Sequence, residues 1–175
     1  DEATIGSAFS DVISKSNMTL SSVELLNEES VPKDAAAIII NAPQKDFNKN
    51  DAQKVIDYLQ KGGKAIIVGM HSETEMPNFA SILDTYGVSL TTGPIADNDA
   101  QHYYNMGGPL YLLPNVNSSS YTGSLSGGYV YLPISLGINY PQNSTTDDTE
   151  STEESKTTYT SLLDTSDDAV AKNNP

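Results

Sequence analysis

The sequence predicts an α/β fold with a mainly parallel sheet covered by helices on both faces. Residues 35–40, Ala-Ala-Ala-Ile-Ile-Ile, and 64–70, Lys-Ala-Ile-Ile-Val-Gly-Met, are the continuous apolar runs that parallel strands acquire when both faces are buried. Between them lies a helix with a cap at its start and glycines at its end. Strand, helix, strand in this span is the right-handed crossover unit of a parallel sheet. A chain of 175 residues fits a single domain, here 1–175.

The elements follow in order. Ile5, Ala8, Phe9, Val12 and Ile13 recur at intervals of three and four, so residues 4–15 present one apolar helical face. Residues 18–26 alternate through Met18, Leu20, Val23 and Leu25, which reads as a half-buried peripheral strand. The first central strand, 36–41, runs into the loop 42–47. Asn48 then caps a helix, with Asp51 three residues on. Ala52, Val55, Ile56 and Leu59 form its buried stripe, and Gly62-Gly63 supplies the left-handed stop. The second central strand is 64–70.

A third helix is expected over 77–86, with Phe79, Ile82 and Leu83 inward and Gly87 as its stop, and 88–90 re-enters the sheet. Beyond Gly93, Gly, Pro, Asn, Ser and Tyr dominate. Apolar runs shrink to 110–113 and 129–132, which read as short strands or extended excursions and not as helices. Residues 143–158 are Ser, Thr, Asp and Glu with almost nothing to bury, which predicts a mobile acidic loop. Residues 159–163 recover a strand-like pattern.

Charge and composition exclude several functions. The 9 basic residues are all Lys and face 23 acids, for a net charge of -14. Phosphate-rich partners, nucleic acid above all, need clustered cations that this chain lacks. With no Arg there is no bidentate fork, and with 0 Cys there is no disulfide, thiolate nucleophile or thiolate metal site. No run of apolar residues is long enough to span a bilayer, and the start lacks the pattern of a signal peptide.

Candidate chemistry is sparse. A hydrolytic triad would have to use His71 or His102, and no Ser sits in a nucleophile elbow, since Gly123-Ser124-Leu125-Ser126-Gly127 centres on Leu. Lys61-Gly62-Gly63-Lys64 falls at a helix end, where the dipole repels phosphate. Asp97-Asn98-Asp99 opens like a calcium loop without its Gly and closing Glu, and reads as a solvated turn. Three Asn-x-Ser/Thr strings, at Asn17, Asn117 and Asn143, are what chance supplies at this Ser/Thr content. Tyr103, Tyr104, Tyr111, Tyr121, Tyr129 and Tyr131 make a region suited to sugar or protein contact, or to closing a small sheet edge. No catalytic residue, metal ligand or cofactor is assigned.

Three stretches carry a resemblance: 31–40 (Val-Pro-Lys-Asp-Ala-Ala-Ala-Ile-Ile-Ile), 42–47 (Ala-Pro-Gln-Lys-Asp-Phe) and 57–64 (Asp-Tyr-Leu-Gln-Lys-Gly-Gly-Lys). With Pro77-Asn78-Phe79, Tyr86-Gly87-Val88 and the closing 162–167, they make the chain similar to the soluble domain of GldG-type auxiliary components of ABC transporters. The resemblance implies a three-layer, Rossmann-like sandwich of flavodoxin type, related to class I glutamine amidotransferases. It implies a fragment whose first strand is missing, and membrane attachment only through flanking segments outside this chain. Its partners would be the ABC transporter membrane and ATPase subunits, at the extracytoplasmic face of a bacterial membrane. The amidotransferase nucleophile is Cys, so that activity does not carry over.

The leading expectation is therefore a non-enzymatic binding or scaffolding domain, and the alternative a hydrolase or transferase acting on a glycan or peptide. An enzyme should bring His71 or His102 within reach of a Ser or carboxylate in a cleft. A two-lobed substrate-binding protein does not fit this length. Ligands of open α/β sheets bind at the carboxyl ends of the strands, which nominates the loops 42–47 and 71–75 and, on them, Gln44, Lys45, His71, Ser72 and Glu73.

Overall fold

The computed structural model describes residues 2–125, 128–141 and 157–172. The chain, expected as one domain, forms two compact units, Asp1–Thr85 and Tyr86–Pro175. No described helix is long and apolar enough to cross a membrane.

The first unit holds α1 (Ser7–Lys15), β1 (Ile38–Asn41), α2 (Lys49–Gln60), β2 (Ala65–Val68) and α3 (Pro77–Asp84). β1 and β2 pair in parallel, Ile38 beside Ala65 through Asn41 beside Val68. Asn48 begins α2 by accepting the Asp51 N–H at 2.9 Å. Gly62, at φ 88°, ends it: its N–H bonds Leu59 O at 2.9 Å and the Gly63 N–H bonds Tyr58 O at 3.0 Å. This double bond is the Schellman closure. Buried here are Val31, Ile40, Ala42, Ala52, Val55, Leu59, Phe79 and Ile82.

The flavodoxin-type reading is overturned. Among the described residues the parallel pair stops at two strands and every other sheet pairing is antiparallel: β3 (Ser89–Asp97) lies between β7 (Leu136–Asn139) and β9 (Ala169–Ala171). Two further two-stranded pairs join β4 (Tyr111–Leu112) to β6 (Leu132–Pro133) and β5 (Asn115–Val116) to β8 (Leu163–Asp164). Residues 88–90 begin β3, in this separate sheet, and do not extend the parallel one. Pro94 lacks an N–H, and the β3–β7 register shifts between Leu90 and Pro94.

Nor are helices found on both faces. α1 keeps its apolar spacing yet buries no residue, with Phe9 and Val12 exposed. The strand expected over 18–26 does not form either. Only a 3₁₀ turn at Leu25–Asn27 occurs there, and Met18, Leu20, Val23 and Leu26 are exposed, because no neighbouring strand offers the alternating face a partner. In place of a strand over 159–163, pairing begins at Leu163. The acidic loop 143–158 lies outside the described residues except for its last two.

The second unit has little apolar core. Among its described residues only Ala96 and Leu112 are buried and apolar, while Asp97 and Thr122 are buried and polar.

Candidate functional site

Because β1 and β2 are parallel, the loops after them leave the same edge, as the nomination of Gln44, Lys45, His71, Ser72 and Glu73 requires. Ala42 turns the first loop at φ 47°, a conformation that costs an L-residue energy, and its O accepts Gln44 Nε2 at 2.9 Å. The same Nε2 lies 3.7 Å from Met70 Sδ, so the two loops meet at this pair. Ser72 closes its own turn, accepting the Thr74 N–H at 3.1 Å and donating to Thr74 O at 2.9 Å. His71 is half-buried, and Lys45 and Glu73 are exposed. The five residues share one edge, but Gln44 and Ser72 spend polar groups locally.

Sequence reasoning missed Asp46. Its Oδ1 accepts the Phe79 N–H at 2.8 Å, and its Oδ2 accepts the Asn78 N–H at 3.1 Å and Nδ2 at 2.8 Å. Asp46 thus occupies the N-terminus of α3, where an anion would otherwise be attracted. The sequence signals only an open helix start, since Met76 ahead of Pro77 has no capping side chain; the partner that fills it lies 32 residues away. Phe47 follows it and stacks on Phe79 with ring centroids 6.3 Å apart.

Next to this edge lies an apolar strip. Ile66 and Val68 alternate on the outward face of β2 and Met70 continues the spacing beyond it, all between 43% and 48% exposed. The inward face carries Ile40, which is buried. Among the described residues no helix covers the outward positions, so this face of a strand that reads as fully buried is exposed.

His102, in the second unit, reaches a carboxylate. Its Nδ1 is 3.0 Å from Asp99 Oδ2 and its Nε2 is 3.3 Å from Asn115 Oδ1. Burial pushes its pKa down. The bonds to Asn115 and Asp99, with the negative field of Asp99 and Asp97, outweigh that and leave it above the usual histidine value. With both ring nitrogens facing oxygen acceptors, this imidazole ties a turn to β5. The geometric condition for the enzyme reading is met only as far as the carboxylate.

The Asp97-Asn98-Asp99 turn is held by protein donors, with Asn98 Nδ2 on Asp168 O at 2.9 Å and the Gln101 N–H on Asp99 Oδ1 at 2.9 Å. Among the described residues no group of His, Asp and Glu is arranged to hold a metal. Two concavities of about 400 and 440 Å³ lie by α2 and include none of the five nominated residues. No family model, curated protein or solved structure matches the chain.

Proposed function

We propose that this chain is a non-enzymatic binding and scaffolding domain that docks on the membrane subunits of an ABC-type transport system at the extracytoplasmic face of a bacterial membrane. The observation that carries the docking is the strip Ile66, Val68 and Met70 on the open face of β2, edged by Gln44, Lys45, His71, Ser72 and Glu73. An apolar centre with a polar rim is the anatomy of a protein interface. Three outward apolar side chains in a row mark a contact surface on a chain as charged as this one. The transport setting comes from the resemblance carried by residues 31–64 and 77–88.

Co-purification from membranes tests this reading. Ile66→Asp with Val68→Asp places charge at outward positions, so the fold should survive and the copurifying subunits should be lost. The rim variant Gln44→Ala, His71→Ala, Glu73→Ala should weaken the association less, since rim contacts contribute little. Full recovery of the same subunits by a correctly folded Ile66→Asp/Val68→Asp variant overturns the proposal.

A further inference from the structure

Residues 100–146 contain no Asp, Glu, Lys or Arg, in a chain with 23 acids and 9 lysines elsewhere, and they hold seven of its ten Tyr. Three of those rings come together. The Tyr104 N–H bonds Tyr111 O at 2.8 Å and so closes a loop over 104–111, in which Gly108 takes φ 80°. β4 places Tyr111 beside β6, which Tyr131 immediately precedes. Tyr131 stacks on Tyr111 at 6.1 Å between centroids and 23° between planes, and meets Tyr104 edge-on at 6.1 Å and 82°.

The platform is fixed from behind. The Tyr111 ring lies on Gly107 so closely that a Cβ there would sit 2.5 Å from it. The base of the loop continues through the Leu113 N–H to His102 O at 2.7 Å, where the His102 ring is itself held by Asp99 and Asn115. The front is open: Tyr104 and Tyr131 are about half exposed, Met106 beside Tyr104 is 87% exposed, and Tyr129 is 90% exposed.

Rigid Tyr rings set among Asn, Ser and Gly are the composition of surfaces that recognise by area and adaptable hydrogen bonds. The negative ring face attracts the weakly positive C–H face of a pyranose, and the phenol and amide groups match its hydroxyls. The missing charge selects the ligand. The stretch itself contributes no Asp, Glu, Lys or Arg to pair with an acidic polysaccharide or a charged peptide, and an uncharged sugar needs none.

We propose that the Tyr104–Tyr111–Tyr131 face is a binding platform for a neutral polysaccharide. It lies in the second unit and does not depend on the docking strip of the first.

Native affinity electrophoresis of the full chain tests it, in gels containing hydroxyethylcellulose, mannan or dextran, with alginate as the anionic control. The expected result is retardation in at least one neutral gel and none in alginate. Tyr131→Ala should weaken binding on the order of ten-fold, and Tyr131→Phe should largely keep it. If Tyr131→Ala fails to fold by circular dichroism, Tyr104→Ala, at a half-exposed ring that meets Tyr131 only edge-on, gives the same reading. Absence of retardation in all three neutral gels overturns the proposal and leaves this face to a protein partner. Retardation that survives both alanine variants, or that is equal in alginate, overturns it too.

Discussion

Ser166 donates both its backbone N–H, at 2.9 Å, and its hydroxyl, at 2.5 Å, to the carboxylate of Asp97, which is completely buried at the end of β3. The Asp99 N–H adds a third bond at 3.0 Å. Burial pushes the Asp97 pKa up. The bonds from Ser166 and Asp99, with the positive field of His102, outweigh burial and hold it below the usual carboxylate value. One residue thereby fastens β3 to the segment that leads into β9.

Ser166→Ala removes one hydrogen bond to a charged group and should cost about 1.5–3 kcal/mol in urea denaturation. Asp97→Asn should cost more, because its amide would turn an N–H toward donors. Since the folded pKa is depressed, this contribution is present above the unfolded value of 3.8 and is lost as pH falls through the lower folded value. Wild type should therefore lose stability below about pH 4 more steeply than Asp97→Asn. Superimposable pH profiles would remove Asp97 from this role.

For His102 the sign is opposite. Its folded pKa is raised, so its contribution is complete below the unfolded value of 6.5 and fades as pH rises through the folded value. In a His71→Gln background, which leaves one imidazole to observe by NMR, His102 should titrate above 6.5. Asp99→Asn should move the titration down. A midpoint unaffected by that change would mean that the 3.0 Å contact is not formed in solution.

Asp46→Ala strips the cap from α3 and leaves the Asn78 and Phe79 N–H groups without their acceptor. About 1–2 kcal/mol of stability should be lost, read as a lower urea midpoint at constant slope. Asp46→Asn, which keeps an acceptor oxygen, should recover part of it. A midpoint equal to wild type in Asp46→Ala would show that α3 is capped otherwise.

What the sequence discloses here is local. The start and stop of α2 depend on Asn48, Asp51, Gly62 and Gly63 within a few residues of one another, and β1 and β2 announce themselves as apolar runs. Pairing is not local. The alternation at Met18 to Leu25 has the period of a strand but no neighbour; the stretches 110–113 and 129–132 do meet β4 and the start of β6, but the two-residue strands β5 and β8 are too short to show any period. An apolar run implies a covering layer, which is why β2 suggested helices on both faces; Ile66 and Val68 are open instead. The edge bearing Gln44 and His71 followed from the parallel pair. The Asp46 cap and the Asp97–Ser166 tie did not, because the latter joins residues 69 apart.

The outward strip of β2 as a docking surface is most directly tested through the chain's lack of Cys. Val68→Cys introduces a single thiol at the centre of the strip, and Glu28→Cys does so at an exposed position away from β2. Each is treated in intact cells with a membrane-impermeant, thiol-directed photocrosslinker and the products are separated by mass. The account predicts that residue 68 is labelled from outside and forms a discrete adduct with a membrane transport subunit, while residue 28 is labelled without that adduct. Labelling only after lysis, or the same adducts from both positions, would contradict it.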